Sequence, residues 1–139
     1  MQPINIVVLV DSIAALSKGT LSDNVHLTDD HSLSQGKGTA MLRTVCCPGQ
    51  WLRWKVLAVD VQSPAVIAGI DFLPWDDVPE ASGVDPDIDR YVMPRWRAWT
   101  GLVPCDTPPG RYRYRLALQM GSGGQSVIFI NSPSIDVLG

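Results

Sequence analysis

Charge, histidine, cysteine and long apolar runs are all scarce in this sequence, and each scarcity excludes something. Asp, Glu, Lys and Arg make up only 18% of the 139 residues, for a formal net charge of −3. Without a basic excess, nucleic acid is a poor match as a partner. Glu80 is the single glutamate among 14 acidic residues; the others are aspartates, which favour turns and caps over helix interiors. Cys46, Cys47 and Cys105 are the only cysteines. They cannot be paired off into a disulfide framework, match no zinc-site spacing, and read as reduced thiols. The two histidines, His26 and His31, fall in one polar connection, and no Gly-x-Ser-x-Gly elbow is present to hold a nucleophile. No catalytic residue is assigned. The longest apolar run, Ile4 to Val10, is broken by Asn5 and is far short of the roughly 20 residues of a spanning helix. No membrane partner is expected. The first residues lack the positive region of a secretory signal, so a cytoplasmic location is the expectation. No βαβ alternation, heptad or fixed-period repeat occurs, which argues against parallel α/β sheets, coiled coils and solenoids.

What is present is strand and turn. Hydrophobic residues make up 45% of the chain, enough for one core, and the length fits one domain over residues 1–139. Ile4 to Val10 is short and β-branched and predicts a buried strand. Ser12 to Lys18 has the one helical composition, stopped by Gly19. The polar stretch 20–38 leaves room for a short strand near Val25 to Leu27. Thr39 to Cys47 and Gln50 to Val61 predict two strands joined by Pro48-Gly49 as a hairpin, and Ala65 to Phe72 predicts another. Leu73 to Asp89, with Pro74, Pro79 and Pro86, reads as a long surface loop. Arg111 to Met120 shows a period of two, with Tyr112, Tyr114, Leu116, Leu118 and Met120 on one face and Arg111, Arg113 and Arg115 on the other. Gly121 to Gly124 turns the chain into Gln125 to Ile130, and Ser134 to Leu138 closes it. The sum is an all-β, antiparallel two-sheet β-sandwich, Ig-like or jelly-roll-like, of about seven to eight strands with one short helix.

Three sets of residues carry chemistry. Asp85, Asp87 and Asp89, with Asp76, Asp77 and Glu80 upstream, concentrate carboxylates as a Ca²⁺ site would, although the EF-hand offsets are absent and a solvated acidic loop is the simpler reading. Trp75, Trp96 and Trp99, with Arg95, lie in or beside irregular segments, where rings can stack on a sugar or other small-molecule ligand and charges orient it. The simpler alternative is that Trp96 and Trp99 cover an open end of the sandwich. Arg111, Arg113 and Arg115 form a basic stripe that can serve self-association or intramolecular ion pairs. By alternation Trp51 and Trp54 face opposite sides of their strand, so at most one is deeply buried.

Three stretches resemble the AidA/PixA-type bacterial inclusion body proteins. Val8-Leu9-Val10-Asp11 followed by Leu16-Ser17-Lys18 is similar to the opening strand and short Ile-Leu-x-Lys segment of that family. Ser34 to Leu42, with Gly36-Lys37-Gly38, followed by Pro48-Gly49-Gln50-Trp51-Leu52-Arg53-Trp54, resembles its Gly-x-Gly strand and Gly-Asp-x-Ile-Arg-Trp strand. Pro109-Gly110-Arg111-Tyr112-Arg113-Tyr114 and Asn131-Ser132-Pro133-Ser134-Ile135 resemble its Pro-Gly-x-x-x-Tyr strand and closing Asp-Pro-x-Ile strand. Gln50 and Ser132 depart from the aspartates of that pattern, and these motifs speak for fold more than for activity. The resemblance implies a cytoplasmic β-sandwich protein with no established reaction. The expectation is therefore a non-enzymatic protein that acts by self-association, as a homodimer, or by binding a small-molecule or carbohydrate ligand, without a required cofactor. The alternatives are an accessory protein or enzyme of a biosynthetic pathway using loop Asp and His residues, and a calcium-dependent carbohydrate-binding module.

Overall fold

The computed structural model describes residues 1–60, 64–75, 79–85, 98–121 and 126–139. They form ten strands and one helix: β1 (Ile4–Val10), α1 (Ser12–Lys18), β2 (Val25–Asp29), β3 (Arg43–Cys46), β4 (Trp51–Ala58), β5 (Ala65–Pro74), β6 (Ser82–Val84), β7 (Ala98–Leu102), β8 (Gly110–Met120), β9 (Val127–Ile130) and β10 (Ser134–Val137). The helix has local causes. The Asp11 carboxylate accepts a hydrogen bond from the Ala14 N–H at 3.2 Å, and Gly19 adopts a left-handed φ of 68° while its N–H bonds the Ala15 carbonyl. An N-cap carboxylate and a left-handed glycine satisfy the backbone groups a helix leaves open at its two ends.

One sheet has the order β2-β1-β4-β7, and the other has β3-β10-β8-β9-β6 with β5 on the opposite edge of β8. In the first sheet Ile4, Ile6, Val8 and Val10 of β1 and Leu52, Trp54 and Val56 of β4 point inward. Tyr114, Leu116, Leu118 and Met120 of β8 meet them from the second sheet within one core cluster. Each such side chain, fully buried, contributes about 1.5–3 kcal/mol relative to exposure. Along one edge of β8, β9 pairs with Leu116 to Gln119 and β10 with Gly110 to Arg113. They act as one strand interrupted at Asn131-Ser132-Pro133, where the Tyr114 N–H bonds the Pro133 carbonyl at 3.1 Å. Proline lacks an N–H, so a strand is interrupted there rather than continued.

Four features correct the sequence expectation. The sheets are mixed: β1 pairs β4 in parallel and β10 pairs β3 in parallel, and ten strands exceed the seven or eight expected. Pro48-Gly49 does not close a hairpin, because β3 lies in one sheet and β4 in the other; the turn carries the chain across the core. The extra strands arise where short segments complete a partner's backbone hydrogen bonding. Ser82–Val84 is too short to show periodicity and is a strand only because β9 pairs with it. The Leu73–Pro74 end of the expected loop likewise stays in β5, because it pairs with Arg113 and Tyr112 of β8.

Candidate functional site

The outward face of β8 turns out to be a charge ladder rather than a bare basic stripe. Cross-strand register sets Arg111 opposite Asp136 of β10 and Arg115 opposite Asp71 of β5. Arg115 Nη2 is 2.8 Å from Asp85 Oδ2, whose side chain is only 2% exposed. Arg113 Nη2 lies 3.7 Å from Glu80 Oε1, and Arg43 of β3 pairs with Asp136. The guanidinium of Arg115 also sits 3.9 Å over the Phe129 ring. Trp75, immediately after β5, lies beneath two guanidiniums, Arg111 at 4.9 Å and Arg113 at 4.3 Å from the ring centroid. Such contacts favour the cation through the quadrupole of the ring and fix the plane of the indole.

Of the expected ligand and metal residues, Trp75, Trp99 and Asp85 fall among the described residues. Trp75 belongs to this arginine face. Trp99 stands opposite Trp54 in the β4–β7 register and packs against the core, so the two rings lie on different sheets. Asp85 is committed to Arg115. Arg95, Trp96, Asp87 and Asp89 lie outside the described residues. Among the described residues no three His, Cys, Asp or Glu side chains converge as metal ligands.

His26 Nδ1 is 3.2 Å from the Gly38 carbonyl, while His31 Nδ1 accepts the Leu33 N–H at 3.2 Å. One juxtaposition was invisible in the sequence: His31, Asp30, Cys47 and Gln50 line one hollow of about 340 Å³. No local spacing signals it, because the ends of β2 and β3 are brought together only by the two sheets. Burial, with Cys47 and Asp136 nearby, pushes the Cys46 thiol up to about 12, so Cys46 packs as an apolar residue.

The other broad surface is the outward face of the four-stranded sheet. Here alternation along β4 resolves the tryptophan pair: Trp54 is 1% exposed and Trp51 47%. Trp51 stands opposite Leu102, and Leu9 opposite Leu57, with Val59 beyond them. All five are exposed. Between these apolar ends lie Arg53 and Lys55, both exposed. At the β2 edge of the same face, the Asn5 N–H and side-chain amide donate to the two Asp30 carboxylate oxygens at 2.9 and 2.7 Å. Burial is the largest single influence on the Asp30 carboxyl and raises it, but the Asn5 hydrogen bonds, its own backbone N–H and the Lys37 ammonium together hold the group below the usual carboxylate range. Two clusters of exposed apolar side chains on one sheet face mark a candidate association surface.

Residues 2–127 match the family described as a domain of unknown function (DUF8788). No curated protein matches the sequence. The crystal structure of an inclusion body protein (PixA) from Burkholderia cenocepacia superposes with a TM-score of 0.64 over 99% of this chain and 95% of that one, at 12% identity. That likeness is one of fold. No helix among the described residues is long and apolar enough to cross a membrane.

Proposed function

We propose that this chain, which belongs to the DUF8788 family, is a non-enzymatic, cytoplasmic relative of the AidA/PixA-type proteins that works by self-association. The observation that carries the reading is the open face of the four-stranded sheet, where Leu9, Leu57, Val59, Trp51 and Leu102 stay in solvent. Keeping these side chains exposed forgoes about 25 cal/mol for every Å² of apolar surface that an occupant would bury. Description of its fold neighbour as an inclusion body protein supports an assembling rather than a catalytic role. Sedimentation velocity on the purified protein, from micromolar to near-millimolar concentration, tests it. A species of twice 15.1 kDa that dissociates on dilution is expected, and a monomer at every concentration ends the reading.

A second reading has its own observation. Trp75 held under Arg111 and Arg113 presents a fixed indole beside cationic donors, a combination that suits a hydroxyl-rich or anionic small molecule. This reading keeps Trp75, with Arg95 and Trp96, as the carbohydrate-binding set and leaves out Trp99, which packs against the core. Tryptophan fluorescence titrated with a panel of monosaccharides checks it: a saturable change that vanishes in Trp75→Ala supports it, and a flat response for every sugar removes it.

A further inference from the structure

The register of the four-stranded sheet specifies how two copies would meet, an inference that rests on the self-association reading above. Successive outward rows cross β2, β1 and β4 in order. One row carries Asp30, Asn5 and Arg53, the next Thr28, Val7 and Lys55, and the next His26, Leu9 and Leu57. The Asn5–Asp30 pair continues the β1–β2 ladder by one step, since the Asp30 N–H bonds the Asn5 carbonyl. Asp30 and Arg53 therefore flank β1 on one line, separated by two interstrand spacings, roughly 10 Å. They are too far apart to pair within one chain. Among the described residues neither Arg53 nor Lys55 has an ion-pair partner. The Asp30 carboxylate accepts from both Asn5 donors, and with the Lys37 ammonium also acting on it the group lies below the usual carboxylate range.

We infer that this face docks on the same face of a second copy about a two-fold axis running along β1, with Arg53 of each copy set against Asp30 of the other. A rotation about β1 exchanges the β2 and β4 sides of every row, so the opposite charges coincide twice. Leu9 then meets Leu9 and Val7 meets Val7 across the axis, and Lys55 lies over the Thr28 hydroxyl. An isologous interface requires a self-complementary patch. A two-fold perpendicular to the strands, passing through the Arg53 row or midway between it and the Lys55 row, would bring like charges together. Charge placement thus favours the axis along β1 over those arrangements, as interface electrostatics generally select register more than affinity.

A charge swap on the full-length chain tests the arrangement by sedimentation velocity. Arg53→Asp alone and Asp30→Arg alone are each expected to raise the dissociation constant at least tenfold, and the double variant to recover most of the loss. Asp30 also braces Asn5, so Leu9→Arg, at an exposed position on the axis, provides a variant that leaves that brace intact and sets two like charges together. It should give a monomer that still unfolds cooperatively, with a melting temperature no lower than that of the dilute, dissociated wild type. A wild-type dimer indifferent to Arg53→Asp and to Leu9→Arg would overturn this interface while leaving self-association standing. A wild-type monomer would overturn both.

Discussion

Trp54 on β4 and Tyr114 on β8 meet edge to face, their ring centroids 5.5 Å apart at 73°, and this contact is where the two sheets hold one another. Phe72 of β5 completes the group, 6.1 Å from each ring. The geometry is the one aromatic quadrupoles favour. Among the described residues neither the buried Trp54 N–H nor the buried Tyr114 hydroxyl completes a well-formed hydrogen bond, although the indole N–H lies close to the phenol. Burial raises the Tyr114 phenol well above the ordinary phenol range, and the nearby indole N–H offsets only part of that rise.

A buried hydroxyl with no partner costs more than it returns. Tyr114→Phe is therefore expected to leave stability unchanged or raise it by about 1 kcal/mol, whereas Trp54→Ala should lower it by about 3–5 kcal/mol. Urea unfolding of the two variants checks both, and a clearly destabilised Tyr114→Phe would show that the hydroxyl has a partner.

Asp85 separates the calcium reading from the ion-pair reading. Its buried carboxylate meets Arg115 at 2.8 Å, so Asp85→Asn should cost about 1–3 kcal/mol whether or not Ca²⁺ is present. A calcium site formed with Asp87 and Asp89 would instead show a melting temperature that rises with added Ca²⁺ and loses that rise in the triple Asn variant. Thermal melts with CaCl₂ and with a chelator distinguish the two.

Thiol reactivity should rank the cysteines. Cys105 is exposed, Cys47 half-buried and Cys46 buried, with the Cys46 thiol pushed up to about 12. Only the thiolate is nucleophilic, so at pH 8 a disulfide reagent should titrate Cys105 first and Cys47 more slowly. Cys46 should react only on unfolding. Fast reaction at Cys46 in the native protein would contradict its burial.

The Asn5–Asp30 link should appear as acid sensitivity. Because folding lowers the Asp30 carboxyl from 3.8, its contribution is fully present above that value and is lost as the pH falls through the lower folded value. Wild type should therefore lose slightly more stability than Asp30→Ala between pH 5 and pH 2. Parallel curves for the two proteins would show that the link contributes nothing.

Several local features were legible residue by residue. Asp11 and Gly19 bracket a helix because cap chemistry acts over three or four residues. The inward set of β8 and the split between Trp51 and Trp54 follow from a side-chain period of two. The arginine stripe was legible as a stripe, and intramolecular ion pairs as one of its uses, but not the partners, since Asp85, Asp136, Asp71 and Glu80 reach it from other segments.

The sequence by itself determined that most of the longer apolar segments would extend, where the helix would begin and end, and which side chains of each long strand would share a face. All of these depend on neighbours a few bonds away. Only the tertiary structure decided which strands lie side by side: β1 with β4, β3 with β10, and Ser82–Val84 as a strand at all. Pairing is chosen by burying inward faces contributed by residues forty to ninety positions apart, and any strand of the right alternation presents the same hydrogen-bonding edge. The same long-range choice aligned Asp30, Asn5 and Arg53 in one row, a relationship that no spacing along the chain encodes.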